Sequence, residues 1–288
     1  MEIAIFDNFD KLEARKYAEQ ATIYLLEKGV KCHVKHKLYD KFENKIKSDN
    51  LVLIDDNTVV DSINFILTFG GDGTMLAAVK KYLAKDVPIM GFNVGKLGFL
   101  AEYSVVNVEK EIDSLLRGEY KLIERTLLET NYCGETITAL NDFVVEKKDF
   151  SKMITLKVYS NDMYVGDYRA DGLIITTPTG STAYSLSCGG PLICPNANVF
   201  CITPISPHAL TLRPLVVPAE NSISIRVFSP TNEAIMTADG QSLRVVKSGE
   251  MLDFYQSTKH VKIVVPTDST YFDIIRKKML WAEYSFGK

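Results

Sequence analysis

One segment constrains the chain more than any other. Ile63-Asn64-Phe65-Ile66-Leu67-Thr68-Phe69 has the apolar weight of a buried strand, and it runs straight into Gly70-Gly71-Asp72-Gly73-Thr74. From Thr74 to Leu83 the apolar residues Met75, Ala78, Val79 and Tyr82 recur at helical spacing. Strand, glycine turn and helix in immediate succession are the front of a βαβ unit. The pattern has neighbours on both sides. Upstream, Ile3-Ala4-Ile5-Phe6 precedes a helical stretch through Ala14, Tyr17, Ala18, Ala21, Tyr24 and Leu25, with Asp10 and Glu13 placed as a capping box and Lys28-Gly29 as a stop. A stretch rich in Lys, Asp and Asn follows over residues 40–61. Downstream, Val87-Pro88-Ile89-Met90-Gly91-Phe92 is another short strand. Strands separated by helices predict an α/β N-terminal domain built on a parallel sheet, over residues 1–119.

From about residue 120 the texture changes. Leu127–Tyr132, Ile154–Tyr159 and Ser222–Val227 are short β-rich runs punctuated by turn residues, and helical periodicity returns only from Tyr271 to Glu283. The expected second domain is β-rich and β-sandwich-like, over residues 120–265.

Composition excludes several function classes. With 46% hydrophobic residues in a chain of 288, a sizeable core is available. A net charge of −3, with neither half of the chain markedly basic, gives no footprint for nucleic acid or an anionic membrane. The five cysteines form no CxxC pair and have no His at zinc-site spacing, so free thiols are expected. Met1 leads directly into a strand with no basic n-region, and no apolar run approaches the ~18 residues of a membrane span. A cytoplasmic protein without secretory signal or membrane partner is the expectation.

Two segments carry candidate chemistry. In the first, glycines between a strand and a helix let backbone amides approach a phosphate at the helix N-terminus. Asp72 is out of place there unless it holds a cation or takes a proton from an attacking hydroxyl; the alternative is a tight turn with Asp72 as helix cap. No GxxxxGK is present, and Leu76 occupies the place of the third glycine of GxGxxG. The second segment runs from Arg169 through Asp171-Gly172 and the strand Leu173–Thr176 into Pro178-Thr179-Gly180-Ser181-Thr182-Ala183-Tyr184-Ser185-Leu186-Ser187. Its hydroxyls and amides suit a polar ligand, and Tyr184 offers a flat face for a base or sugar.

Together the two segments resemble the NAD kinase family. Gly70–Thr74 alone is shared with diacylglycerol and sphingosine kinases, whereas Asp171-Gly172 with Thr179–Tyr184 is specific to NAD kinases. The resemblance extends to Gly91–Leu100, Asn141-Asp142, Thr203–His208 with Arg213-Pro214, and Asp239-Gly240-Gln241. It implies phosphorylation of the adenosine-ribose 2′-hydroxyl of NAD with ATP and a divalent metal ion, magnesium being the usual one, to give NADP and ADP. It further implies a C-terminal segment, residues 266–288, that returns to the first domain. The implied assembly is a homodimer or homotetramer whose neighbouring subunit completes part of the NAD site. A lipid or sphingoid-base kinase sharing the glycine loop and a non-catalytic NAD(H)-binding sensor are the alternatives.

Carried over residue by residue, the resemblance makes Asp72 the catalytic acceptor of the hydroxyl proton, with Gly71 and Gly73 beside the nucleotide and Phe99 lining the pocket. Asn141 reads the adenine, and Asp142, one methylene shorter than the usual Glu, accepts ribose hydroxyls. Arg169 and Asp171 stand near the nicotinamide end. Thr182, Ala183, Tyr184, Ser185 and Ser187 surround the adenine and ribose, and Gln241 lies near the same ligand. The resemblance implies no set of metal ligands. Lys96 replaces a common His and Ala77 an occasional Arg, departures that bear on donor affinity and on the choice between NAD and NADH. Lys147-Lys148 reads as a solvated turn, His208 as a packed or surface residue, and Trp281 as a packing residue of the final helix.

Overall fold

The structure is a computed structural model that describes residues 1–8, 11–42, 48–55, 58–95, 97–149 and 152–281. The chain divides into two compact units, Met1–Glu124 with Val261–Lys288, and Arg125–His260.

The first unit is the α/β one. In chain order it contains β1 (Glu2–Asp7), α1 (Leu12–Glu27), β2 (Lys31–Lys35), α2 (His36–Tyr39), β3 (Leu51–Ile54), β4 (Phe65–Gly70), α3 (Asp72–Tyr82), β5 (Ile89–Asn93), the two-residue β6 (Tyr103–Ser104) and α4 (Val108–Arg117). Strands β3, β2, β1, β4 and β5 lie side by side in that order, all parallel. Helix α1 buries Ala14, Ala18, Ala21, Thr22 and Leu25, a stripe of small residues that lets it lie close on the sheet. It ends at Lys28, with Gly29 in the left-handed region at φ 74° as the sequence expects. Asp10, its expected cap, lies outside the described residues.

Four elements depart from the sequence reading. The Lys, Asp and Asn-rich stretch holds β3, and β2 precedes it. Helix α4 buries Val108, Ile112 and Leu115 on one face and stops at Gly118 in the left-handed region. Helix α6 (Tyr271–Met279) ends earlier than expected, with Leu280 left-handed at φ 55°, so Trp281 lies beyond the helix and is 57% exposed rather than packed.

The second unit is antiparallel. Its strands are β7 (Lys121–Tyr132), which enters from the first unit, β8 (Glu135–Ala139), β9 (Asp142–Lys147), β10 (Ile154–Ser160), β11 (Met163–Ala170), β12 (Gly172–Thr176), β13 (Val199–Ile205), β14 (Leu215–Pro218), β15 (Ile223–Phe228), β16 (Glu233–Ala238), β17 (Ser242–Lys247) and the start of β18 (Met251–Val265). One sheet runs β14-β13-β12-β9-β16-β17, and another set pairs as β11-β10-β15-β18. Alternate residues of the two layers share one core, in which the Phe143 and Phe254 ring centroids are 5.1 Å apart. The expected β-rich, sandwich-like architecture is present. The last residues of β18 return to the parallel sheet of the first unit, pairing Ile263 and Val264 with Ile89 and Met90 of β5.

Candidate active site

In the first unit, β4 delivers the chain to Gly71, and Asp72 is the first residue of α3, where the partial positive charge of the helix N-terminus favours a carboxylate. Asp72 is not the helix cap, since Gly71 holds the N-cap position and no side chain caps the helix. Its Oδ2 accepts the amide N–H of Phe99 at 2.9 Å, and its Oδ1 accepts those of Leu100 and Ala101 at 3.0 and 3.1 Å. A carboxylate offers about four lone-pair positions; Oδ1 is taken up by two amides, while Oδ2 keeps one position for a further donor. The approach is close enough that a Cβ on Gly98 would stand 2.1 Å from Oδ1, so only glycine fits there. Gly71 and Gly73 face open space on the other side of the turn. Phe99 is half-buried, with the Lys278 ammonium of α6 5.2 Å from its ring centroid, a cation that sequence spacing does not connect to this loop. Lys96 lies outside the described residues, and Ala77 is half-buried on α3.

In the second unit, Asn141, Asp142, Val144, Glu146, Ala183, Tyr184, Thr237, Asp239 and Gly240 line one cavity of about 450 Å³. Four of the residues expected to bind nucleotide, Asn141, Asp142, Ala183 and Tyr184, therefore meet. Tyr184, on the short helix α5 (Tyr184–Ser187), is 42% exposed. Burial and, secondarily, the neighbouring Cys188 raise its phenol above the usual range. Asp142 is 5% exposed, and its carboxyl is pushed up to about 7 by burial first and by the charge of Asp239 second. Burial also raises Glu146.

The backbone that presents Asn141 and Asp142 is held from both sides. Asp239 accepts the amides of Leu140 at 2.9 Å, Asn141 at 2.7 Å and Asp142 at 3.2 Å. Thr177 donates its hydroxyl to the Leu140 carbonyl at 2.5 Å, and the Asn141 carbonyl accepts from the Thr176 hydroxyl at 3.0 Å and the Thr177 amide at 2.9 Å. Gly180 is required by this crowding, because a Cβ there would sit 2.2 Å from the Asn141 oxygen.

The hydroxyl-rich run bonds extensively within itself. Thr176, Thr177, Ser181 and Ser185 are fully buried. Ser181 bonds Pro178 and Ile193, Thr182 bonds the Thr179 carbonyl at 3.2 Å, and Ser185 pairs with Thr203 at 2.8 Å. These hydroxyls build the turn that carries Ala183 and Tyr184. Ser187, Arg169 and Gln241 are exposed and outside the cavity lining. Asp171 is ion-paired with Lys147 at 2.6 Å, and Lys148 with Glu233 at 2.5 Å, so the two lysines end β9 in ion pairs and are not a free solvated turn. His208 is on the surface. Val144, Glu146 and Thr237 are lining residues to which the sequence reading assigns no role; it matches Asp239-Gly240-Gln241 as a segment but gives a role only to Gln241, because an Asp-Gly pair between two β runs signals a hairpin turn.

Comparison with known proteins agrees with both halves. Residues 3–120 match the ATP-NAD kinase N-terminal domain and residues 140–265 the ATP-NAD kinase C-terminal domain. The chain is 36% identical to an NAD kinase of Chlorobium phaeobacteroides strain BS1, covering 98% of this chain and 97% of that protein. It is equally 36% identical to one of Bacteroides fragilis, covering 98% of each. Among solved structures, an NAD kinase from Archaeoglobus fulgidus in complex with ATP superposes with a TM-score of 0.72 at 25% identity, covering 96% of this chain and 99% of that one. Yeast NADH kinase complexed with NADH, at a TM-score of 0.88 and 22% identity, covers 100% of this chain and 90% of its own and shares the fold. By these matches over nearly its whole length, the chain belongs to the ATP-NAD kinase family.

Proposed function

We propose that the chain phosphorylates the 2′-hydroxyl of the adenosine ribose of NAD, using ATP and yielding NADP and ADP. NAD kinase activity follows from membership of the family over nearly the full length. The residue roles rest on one observation above others: the Asp72 carboxylate is fixed by three consecutive amides yet keeps a lone pair on Oδ2. The 2′-oxygen attacks the γ-phosphorus, the bond to the β,γ-bridging oxygen breaks, ADP departs, and the hydroxyl proton passes to Oδ2. General-base help of this kind supplies about 10²–10⁴-fold, and alignment and charge neutralisation supply the rest.

In the same reading Tyr184 stacks on the adenine, Asn141 bonds its edge and Asp142 accepts a ribose hydroxyl. Gly71 and Gly73 admit phosphate, and Phe99 borders the nucleotide. Arg169 and Asp171 serve the nicotinamide end, while Thr182 and Ser185 hold the turn that carries Ala183 and Tyr184. Among the described residues no three His, Cys, Asp or Glu side chains gather to hold a metal. The described residues thus fit a magnesium ion carried mainly by nucleotide phosphates, its usual habit. When bound, such an ion neutralises charge on the transferring group. The working form is a homodimer or homotetramer in the cytoplasm; among the described residues no helix is long and apolar enough to cross a membrane.

Purified protein given NAD, ATP and magnesium should form NADP, read by an NADP-specific dehydrogenase. Absence of NADP across donors and metals overturns the proposal, and transfer of labelled phosphate to diacylglycerol or sphingosine vesicles instead would favour a lipid kinase.

A further inference from the structure

Asp239 occupies the turn between β16 and β17 with φ 50°, the left-handed region that Asn and Asp tolerate better than other side chains. Its own amide donates to the Asp142 carbonyl at 2.9 Å, while its carboxylate takes the three amides of residues 140–142. Three donors on two oxygens require a carboxylate. An asparagine would offer one acceptor oxygen and turn an NH₂ group towards an N–H. The charge that holds the corner therefore stands against a second carboxylate, Asp142, inside the same cavity.

The other groups around Asp142 do not relieve it. Along β9, Glu146 is a third acid lining the cavity; Tyr184 of α5 and Cys188 just after it are both raised above their ordinary range by burial. The adjacent β12 offers Thr176 and Thr177, whose hydroxyls are committed to backbone carbonyls, and Asp171 beyond its other end is paired with Lys147. Among the described residues, no Lys or Arg lines the cavity.

We infer that Asp239 is a positioning residue for NAD: it clamps the Asn141-Asp142 corner and keeps a proton on Asp142 in the empty cavity, which is released when ribose hydroxyls arrive. The inference rests on the proposed placement of the adenosine of NAD in this cavity. Burial beside a second carboxylate disfavours charge on Asp142, and a donated hydroxyl restores it. Because the ligand favours the ionised form, NAD affinity rises as pH rises through about 7, where the Asp142 carboxyl titrates.

Carbon-13 NMR of aspartate carboxyls in the ligand-free protein tests the coupling without any nucleotide. The resonance lost in Asp142→Asn should titrate near neutrality in the wild type and at lower pH in Asp239→Asn. The kcat/KM for NAD should show the same inflection, shifted down in Asp239→Asn and lost in Asp142→Asn, with KM raised about tenfold in Asp239→Asn and kcat nearly kept. A role confined to holding the turn would raise KM without moving the inflection. Asp142 titrating in the ordinary aspartate range, or an unmoved inflection in Asp239→Asn, overturns the inference. The wild-type titration decides even if Asp239→Asn does not fold. Should NAD fail to bind the wild type, the placement of adenosine falls while the NMR titration still reports on the two carboxyls.

Discussion

Asp72 and Asp239 do the same thing to the backbone in two unlike places. Each spreads two carboxylate oxygens over three consecutive amides, 99–101 in one case and 140–142 in the other. Asp72 does so from the first turn of a helix, Asp239 from a hairpin turn in the left-handed region. The contrast lies in what the grip presents. Around Asp72 the gripped loop holds the acid itself in place, with one lone pair left over. Around Asp239 the gripped corner holds other side chains, Asn141 and Asp142, and the acid is the support. Buried hydrogen bonds to a charged group are each worth about 1.5–3 kcal/mol, so both grips stabilise their loops, and the proposed proton transfer draws on the first alone.

Substitutions separate the two roles. Asp72→Asn should cost most, about 10²–10⁴-fold in kcat, with NAD affinity within a few-fold of the wild type by calorimetry. Gly98→Ala drives a methyl into the Asp72 carboxylate and should lower kcat by about 10²-fold with KM for NAD little changed, a loss read in steady-state kinetics. Gly180→Ala presses on the Asn141 carbonyl and should act in the other sense, raising KM for NAD about tenfold, the equivalent of about 1.4 kcal/mol, with kcat largely kept. A drop in kcat without a change in KM for Gly180→Ala would break the division between the two regions.

The smallest effect concerns an acid with no such grip among the described residues. There, both carboxylate oxygens of Asp7, at the end of β1, are buried with no hydrogen-bond partner, and burial pushes its carboxyl up to about 6. Its folded pKa lies above the unfolded value of 3.8, so the folded state binds more protons between the two, and stability falls as pH rises from about 4 through 6. Asp7→Asn should therefore raise Tm by a few degrees at pH 8, corresponding to about 1–3 kcal/mol, and change it little at pH 4, as followed by circular dichroism.

Much of this arrangement is legible in the chain and some is not, for physical reasons. The strand into Gly70–Thr74 and α3 is legible because a continuous apolar run and a glycine turn leave few alternatives. Strand β2 is not, because Lys31-Cys32-His33-Val34-Lys35 lacks an apolar run; His33 is 2% exposed only through its contact with Glu2 at 2.8 Å, thirty-one residues away. Helix α4 was within reach, since Val108, Ile112 and Leu115 keep helical spacing before Gly118. The internal bonds of the hydroxyls between Thr176 and Ser185 are not legible, because residue type reveals a donor but not its direction. Asp239 is the clearest case: its partners lie 97 to 99 residues earlier, a pairing set by the β9–β16 register and not by any local pattern.

The most direct measurement is the single-turnover rate of NADP formation at saturating NAD and ATP, for wild type, Asp72→Asn and Asp239→Asn side by side. The division of labour requires Asp72→Asn to lose at least about 10²-fold and Asp239→Asn to stay within about tenfold of the wild type. Equal losses in both, or a wild-type rate in Asp72→Asn, would contradict it.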